Sequence, residues 1–142
     1  MRILGLDPGE KRIGVAVSDP LGITAQGIEI IEYASPDKAL DEINSICLKY
    51  GVEKIVVGLP LHMSGEKGTA AEKAEEFAEE LRRKLNIPVA MVDERLTSSR
   101  VEKTLLEGGV RRKKRREVRD KLAAVLILEQ YLTMQKNENM KK

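Results

Sequence analysis

The chain has 142 residues, 42% of them hydrophobic and 34% charged, which suits one folded domain with a single core and excludes a disordered chain. No apolar stretch approaches the ~20 residues of a membrane span, and the opening Met1-Arg2-Ile3-Leu4-Gly5-Leu6-Asp7 is too short and is broken by an acid, so no signal peptide is read and a cytoplasmic protein without a membrane partner is expected. One cysteine, Cys47, excludes an internal disulfide, and with His62 as the single histidine no Cys/His zinc cluster can be assembled.

Taken in chain order, residues 2–7 read as an apolar strand closed by the turn Asp7-Pro8-Gly9, and residues 12–18 alternate as a second strand, giving a hairpin around Pro8 to Lys11. Residues 23–33 form a third strand, with Gly27 as a bulge or bend. Ser35 and Pro36 open a helix as N-cap and first-turn residue; Leu40, Ile43, Cys47 and Leu48 supply its apolar face, and Gly51 ends it. Residues 54–59 are a near-continuous apolar run, as expected of a buried parallel strand. A loop over 61–68 leads to a helix over 69–85, with Ala70, Ala74, Phe77, Ala78 and Leu81 facing inward. Residues 88–92 make a fifth strand, 97–107 a short helix, and 117–134 the last helix; the run 111–116 is loop or helix start. The expected architecture is an α/β domain over 1–134, a five-stranded mixed sheet (three antiparallel, two parallel strands) with helices on both faces, followed by a flexible tail over 135–142.

Three acids stand out by position. Asp7 closes the first strand, Glu94 follows the fifth, and Asp120 begins the last helix, ahead of Ala123, Ala124 and Ile127 on one helical stripe. Strand ends at one edge of a parallel sheet share the crevice where ligands bind, so these carboxylates can converge there. Crowded carboxylates repel and are stable mainly when a cation neutralises them; Mg²⁺ or Mn²⁺, hard ions that take oxygen ligands, fit this set. Plainer roles stay open: a turn Asp at Asp7, an ion pair with Arg95 for Glu94, a helix-dipole charge for Asp120. Asp93 is second choice to Glu94, since neighbouring strand residues face opposite ways and spacing alone does not decide between them.

Charge distribution points the same way. The net charge is only +2, but between Arg111 and Lys121 stand Arg111, Arg112, Lys113, Lys114, Arg115, Arg116, Arg119 and Lys121, opposed only by Glu117 and Asp120. That run, with Lys11 and Arg12 beside Asp7, reads as a phosphate-binding edge or, more plainly, as a solvated basic surface. Phe77 and three tyrosines are too few for a base-stacking platform. His62 sits in the 61–68 loop, where a lone histidine is more often simply exposed.

Four motifs in order, Gly5-Leu6-Asp7-Pro8-Gly9-Glu10-Lys11-Arg12-Ile13-Gly14-Val15-Ala16-Val17-Ser18-Asp19, Val57-Gly58-Leu59-Pro60, Val92-Asp93-Glu94-Arg95-Leu96-Thr97 and Asp120-Lys121-Leu122-Ala123-Ala124, closely resemble the bacterial YqgF/RuvX family, proteins associated with Holliday junction resolution and with maturation of pre-16S ribosomal RNA. The resemblance spans nearly the whole chain. It implies an RNase H-like fold, divalent-metal dependence, and a nuclease acting at the 5′ end of precursor 16S rRNA or on branched DNA, with Asp7, Glu94 and Asp120 matching the family's acidic residues. Pro8 departs from the Val or Phe common at its position, and His62 from a common Asn.

A metal-dependent hydrolase of phosphodiester bonds is therefore expected, with nucleic acid and ribosomal precursor particles as partners, working as a monomer or weak homodimer. A non-catalytic RNA-binding assembly factor competes with it; it would bind through Arg111 to Arg116 but gains nothing from carboxylates facing phosphate. A nucleotide-binding kinase-like reading of Asp7-x-Gly9 is disfavoured, since that chemistry needs two such lobes and 142 residues supply one.

Overall fold

Strands β1 (Arg2–Pro8) and β2 (Arg12–Ser18) form the expected hairpin. In this computed structural model, residues 1–32, 35–61, 64–94 and 112–140 are described, except for the side chains of 112–118, 120, 139 and 140. The expected helix over 97–107, His62, Arg111 and the side chains of Arg112, Lys113, Lys114, Arg115, Arg116 and Asp120 therefore lie outside the described residues. The β1–β2 pairs run antiparallel from Leu4↔Val17 to Pro8↔Ile13, and the turn closes with the Gly9 N–H donating to the Arg12 carbonyl at 2.8 Å. Beyond the Leu4↔Val17 pair, the Ile3 N–H donates to Ser18 Oγ at 2.8 Å, which explains why a serine is buried at that strand end.

Strand β3 (Ala25–Glu32) pairs antiparallel with β2. Its register steps from Val15↔Glu29 to Ala16↔Gly27, so Ile28 is the extra residue of a bulge beside Gly27. Helix α1 (Pro36–Tyr50) is capped as its sequence dictates: Ser35 Oγ accepts from the Lys38 N–H at 3.2 Å, and Gly51 takes the left-handed conformation at φ 66°. Strand β4 (Val52–Leu59) then lies parallel to β1, and helix α2 (Thr69–Leu85) leads to β5 (Val89–Asp93), parallel to β4. Helix α3 (Arg112–Met140) follows. The sheet order is β3-β2-β1-β4-β5, the mixed arrangement the element pattern predicts.

Alternation along the strands splits the molecule into two apolar layers. Leu4, Leu6, Ile13, Val15, Ile55 and Val57 face α1 and α2, where Leu40, Ile43, Phe77 and Leu81 close the larger core. Ile3, Ala16, Val56 and Val92 face α3, meeting Ala124, Ile127, Leu128 and Leu132. Helices thus cover both faces. In the second layer α3 comes closest to the sheet at a glycine. A Cβ on Gly5 would stand 2.9 Å from Leu128 Cβ and 3.1 Å from the Ala124 carbonyl oxygen, so only glycine lets α3 come this close to β1.

The structure corrects some boundaries and faces. Leu48 is 76% exposed, and Ala39 and Ile46 complete the buried face of α1 instead. At ~100° per residue, Leu48 stands about 140° round from Ile43, beyond any face centred there. Ala70, in the first turn of α2, is exposed, and Ala71 is buried. Helix α3 starts at Arg112 rather than 117 and continues to Met140 rather than 134. Arg and Lys are good helix formers, and neither end carries a Gly or Pro to stop the helix. No helix among the described residues is long and apolar enough to cross a membrane.

Candidate active site

Asp7 follows Ile3 and Gly5 on the α3 side of β1, close to the C-terminal end of that strand. On β5, Val92 lies on the same side, and two residues further on stands Glu94. The Glu94 N–H still donates to the Leu59 carbonyl at 3.2 Å, so the strand geometry carries through it. Alternation therefore gives Glu94 the face of Asp7 and puts Asp93 on the opposite one, with Val89 and Met91. The two carboxyl groups meet: protonated Glu94 hydrogen-bonds to Asp7.

This meeting is electrostatically expensive. Burial, the charge of Asp7, the hydrogen bond to Asp7 and the charge of Asp93 together push the Glu94 carboxyl up to about 9. At neutral pH and without a cation, the pair therefore holds a proton that an ordinary glutamate would have lost. Two half-buried carboxyl groups that share a proton form an all-oxygen donor set. That chemistry suits Mg²⁺ or Mn²⁺.

Asp120, expected from the sequence to join these acids, stands on α3, and its side chain lies outside the described residues. On β1, Ile3 lines a cavity together with Leu132, and Gly5 lies against Leu128 and Ala124, so the helix runs backward along the strand. Two strand residues advance roughly 6.6 Å, a little over four residues of helix. Continuing the series, the helix backbone level with Asp7 is the turn beginning near Asp120. The helix bearing Asp120 lies on Asp7's face of the sheet. Among the described residues no three metal-ligating side chains gather, and Asp7 and Glu94 are the acids brought together.

Of the basic candidates, Lys11 is exposed in the hairpin turn just past Asp7. Arg12 is half-buried at the start of β2, on the face that Ala16 shares with α3. Arg112 to Arg116 form the first turns of α3, ahead of the Asp120 position. Two contributors were given no role from the sequence: Gln130, and Gly58 of the Val57-Gly58-Leu59-Pro60 motif. Gln130 Nε2 donates to the Asp93 carbonyl at 3.3 Å, tying the end of β5 to α3. Gly58 lies under the Glu94 carboxylate. A glycine inside a buried apolar strand is the one sign that could have marked it.

The RuvX family profile, described as Holliday junction resolvase, matches residues 1–134. A Listeria innocua protein named "Putative pre-16S rRNA nuclease" is 52% identical over 134 residues, covering 93% of this chain and 97% of its own length. A Pelotomaculum thermopropionicum protein of the same name is 51% identical over 136 residues, covering 95% and 88%. Among solved structures, Thermus thermophilus RuvC in complex with a Holliday junction substrate superposes with a TM-score of 0.60 at 14% identity, over 96% of each chain. The fowlpox virus Holliday junction resolvase gives 0.55 at 14% identity, over 94% of this chain and 99% of its own. At such identities the structural matches speak for the fold alone, a RuvC-like, RNase H-like one. With the profile covering the sheet and α3 to Thr133-Met134 and relatives matching half of all positions, the chain belongs to the RuvX family.

Proposed function

We propose that this protein is a divalent-metal-dependent nuclease that trims the 5′ end of precursor 16S rRNA, with Asp7, Glu94 and Asp120 holding Mg²⁺ or Mn²⁺. The observation that carries the reading is the Asp7–Glu94 carboxyl pair, forced together at the end of a parallel sheet where burial and mutual repulsion keep a proton on it. Close carboxylates repel, and a bound divalent ion would neutralise such a pair. Such an ion would supply Lewis acidity and lower the pKa of a bound water.

The protein's own groups then divide the work. Asp7 and Glu94 fix the site against rigid strand ends, and α3 brings Asp120 from above. Lys11, Arg12 and the basic run Arg111, Arg112, Lys113, Lys114, Arg115 and Arg116 hold the sugar-phosphate backbone and draw a polyanion toward the acids. RNA is favoured as substrate by the names of relatives at about half identity. The family's description favours a second reading, cleavage of four-way DNA junctions. The chain would act in the cytoplasm on ribosomal precursor particles, as a monomer or weak homodimer, with 1–134 as the nuclease domain and 135–142 as a tail.

A cleavage assay with Mn²⁺, comparing a pre-16S 5′-leader RNA with a four-way DNA junction, tests both readings. RNA cleavage by the wild type that is lost in Asp7→Asn supports the proposal. Cleavage of the junction alone would move it to the second reading. Undiminished cleavage by Asp7→Asn would sink the site.

A further inference from the structure

The two acids that meet are not on neighbouring strands. Asp7 is on β1 and Glu94 ends β5, with β4 between them. At about 4.8 Å per strand spacing, their backbones are roughly 10 Å apart, and each carboxyl must reach inward over β4. The register shows what it crosses. Leu6 pairs with Val57, so Asp7 is level with Gly58, and Gly58 in turn pairs with Val92, two residues before Glu94. Gly58 thus lies between the two strands that bear the acids, level with Asp7 and on the acids' face of the sheet. A Cβ there would stand 2.5 Å from Glu94 Oε2 and 2.5 Å from Ile127 Cδ1. Such distances are well inside any real contact, and the shifts needed would fall on the carboxylate itself and on the α3 side chain packed beside it.

We infer that Gly58 is a positioning residue of the site: the bare β4 backbone is the floor across which Glu94 reaches Asp7. The inference rests on the proposed reading of this pair as metal-holding. Gln130 supports the same arrangement from the side, since its bond to the Asp93 carbonyl fixes the strand end from which Glu94 departs. Any side chain at position 58 fills the gap, drives the carboxylate away from Asp7, and leaves the ion one ligand short.

A purely structural role is the rival account, because Gly58 also makes room for Ile127. The two are separated with the full-length chain by measuring Mn²⁺ affinity calorimetrically beside the thermal midpoint. Ile127→Val removes the Cδ1 obstruction but not the Glu94 one. In Gly58→Ala/Ile127→Val, the midpoint should return to within a few degrees of Ile127→Val alone, while Mn²⁺ affinity stays at least about tenfold weaker. Wild-type affinity in that double variant would overturn the inference and leave Gly58 a packing residue. If the double variant does not fold, adding Glu94→Ala removes the remaining obstruction. Recovery of folding then supports the contact with Glu94, and failure to recover overturns it. Asp7→Asn is measured alongside: if it too binds Mn²⁺ like the wild type, the metal site itself has been misplaced, a result distinct from failure of Gly58 alone.

Discussion

The two faces of the sheet are written by the same strands in alternate residues, and they are built to opposite ends. Toward α1 and α2 the strands present Leu4, Leu6, Ile13, Val15, Ile55 and Val57, large side chains sealed by two helices. Toward α3 they present Ile3, Gly5 and Asp7, then Ala16, then Val56 and Gly58, then Val92 and Glu94, a face broken by glycines and an alanine that ends in acids. The first face stores stability. The second gives some up, letting one helix come close and setting two carboxyl groups against each other. A one-residue shift in strand register would exchange the two roles, so the hydrophobic pattern that fixes the fold also fixes which acids can meet.

The sharpest way to break this contrast is to substitute on each face and read both activity and stability. Asp7→Asn should lower Mn²⁺-dependent cleavage by about 100-fold or more, beyond what loss of a supporting residue costs. In metal-free buffer at neutral pH the same substitution should raise the thermal midpoint, because the Asp7 charge is, after burial, a cause that makes folded Glu94 hold a proton an ordinary glutamate has lost. An unchanged midpoint with lost activity would mean the repulsion is relieved elsewhere. On the other face, Leu6→Ala, at a fully buried position, should cost about 2–5 kcal/mol in urea unfolding and leave cleavage per folded molecule near normal. A selective loss of activity there would show that the faces are not separable.

The pH dependence sharpens the comparison further. Glu94 is raised from its ordinary 4.5 to about 9 in the folded protein, so the unfolded chain releases this proton first. Its contribution to stability is full below about 4.5 and is lost progressively as pH rises toward 9. Metal-free protein should therefore lose stability across that range, and saturating Mn²⁺ should flatten the slope, raising the thermal midpoint more at pH 8 than at pH 6. Equal shifts at both values would argue that the ion does not displace this proton. The smallest effect belongs to the sealed face. Cys47 is buried, and burial pushes its thiol up to about 11. Alkylation at pH 8 should be slow in the native protein and fast once denaturant opens the core.

Much of this was legible in the sequence because local rules and tertiary packing agree. The Asp7-Pro8-Gly9 turn, the Ser35 cap, the Gly51 stop and the bulge beside Gly27 are each set by residues within a few positions. Leu48 misled because a helical face has a centre that only packing reveals, and Ile46 and Ala39 claimed it. The choice between Asp93 and Glu94 was open because alternation states that they differ, not which one faces Asp7; that needs β1, β4 and β5 in register. The role of Gly58, within the Val57-Gly58-Leu59-Pro60 motif, was open for the same reason: a glycine in an apolar run marks a close approach, not the two acids, remote in sequence, that meet beside it.

The most direct test of the account is an anomalous difference map from crystals grown with Mn²⁺. A peak within coordinating distance of both Asp7 and Glu94, and reached by Asp120 from α3, is the predicted result. An ion bound elsewhere, or none at the pair under conditions that support cleavage, would contradict it.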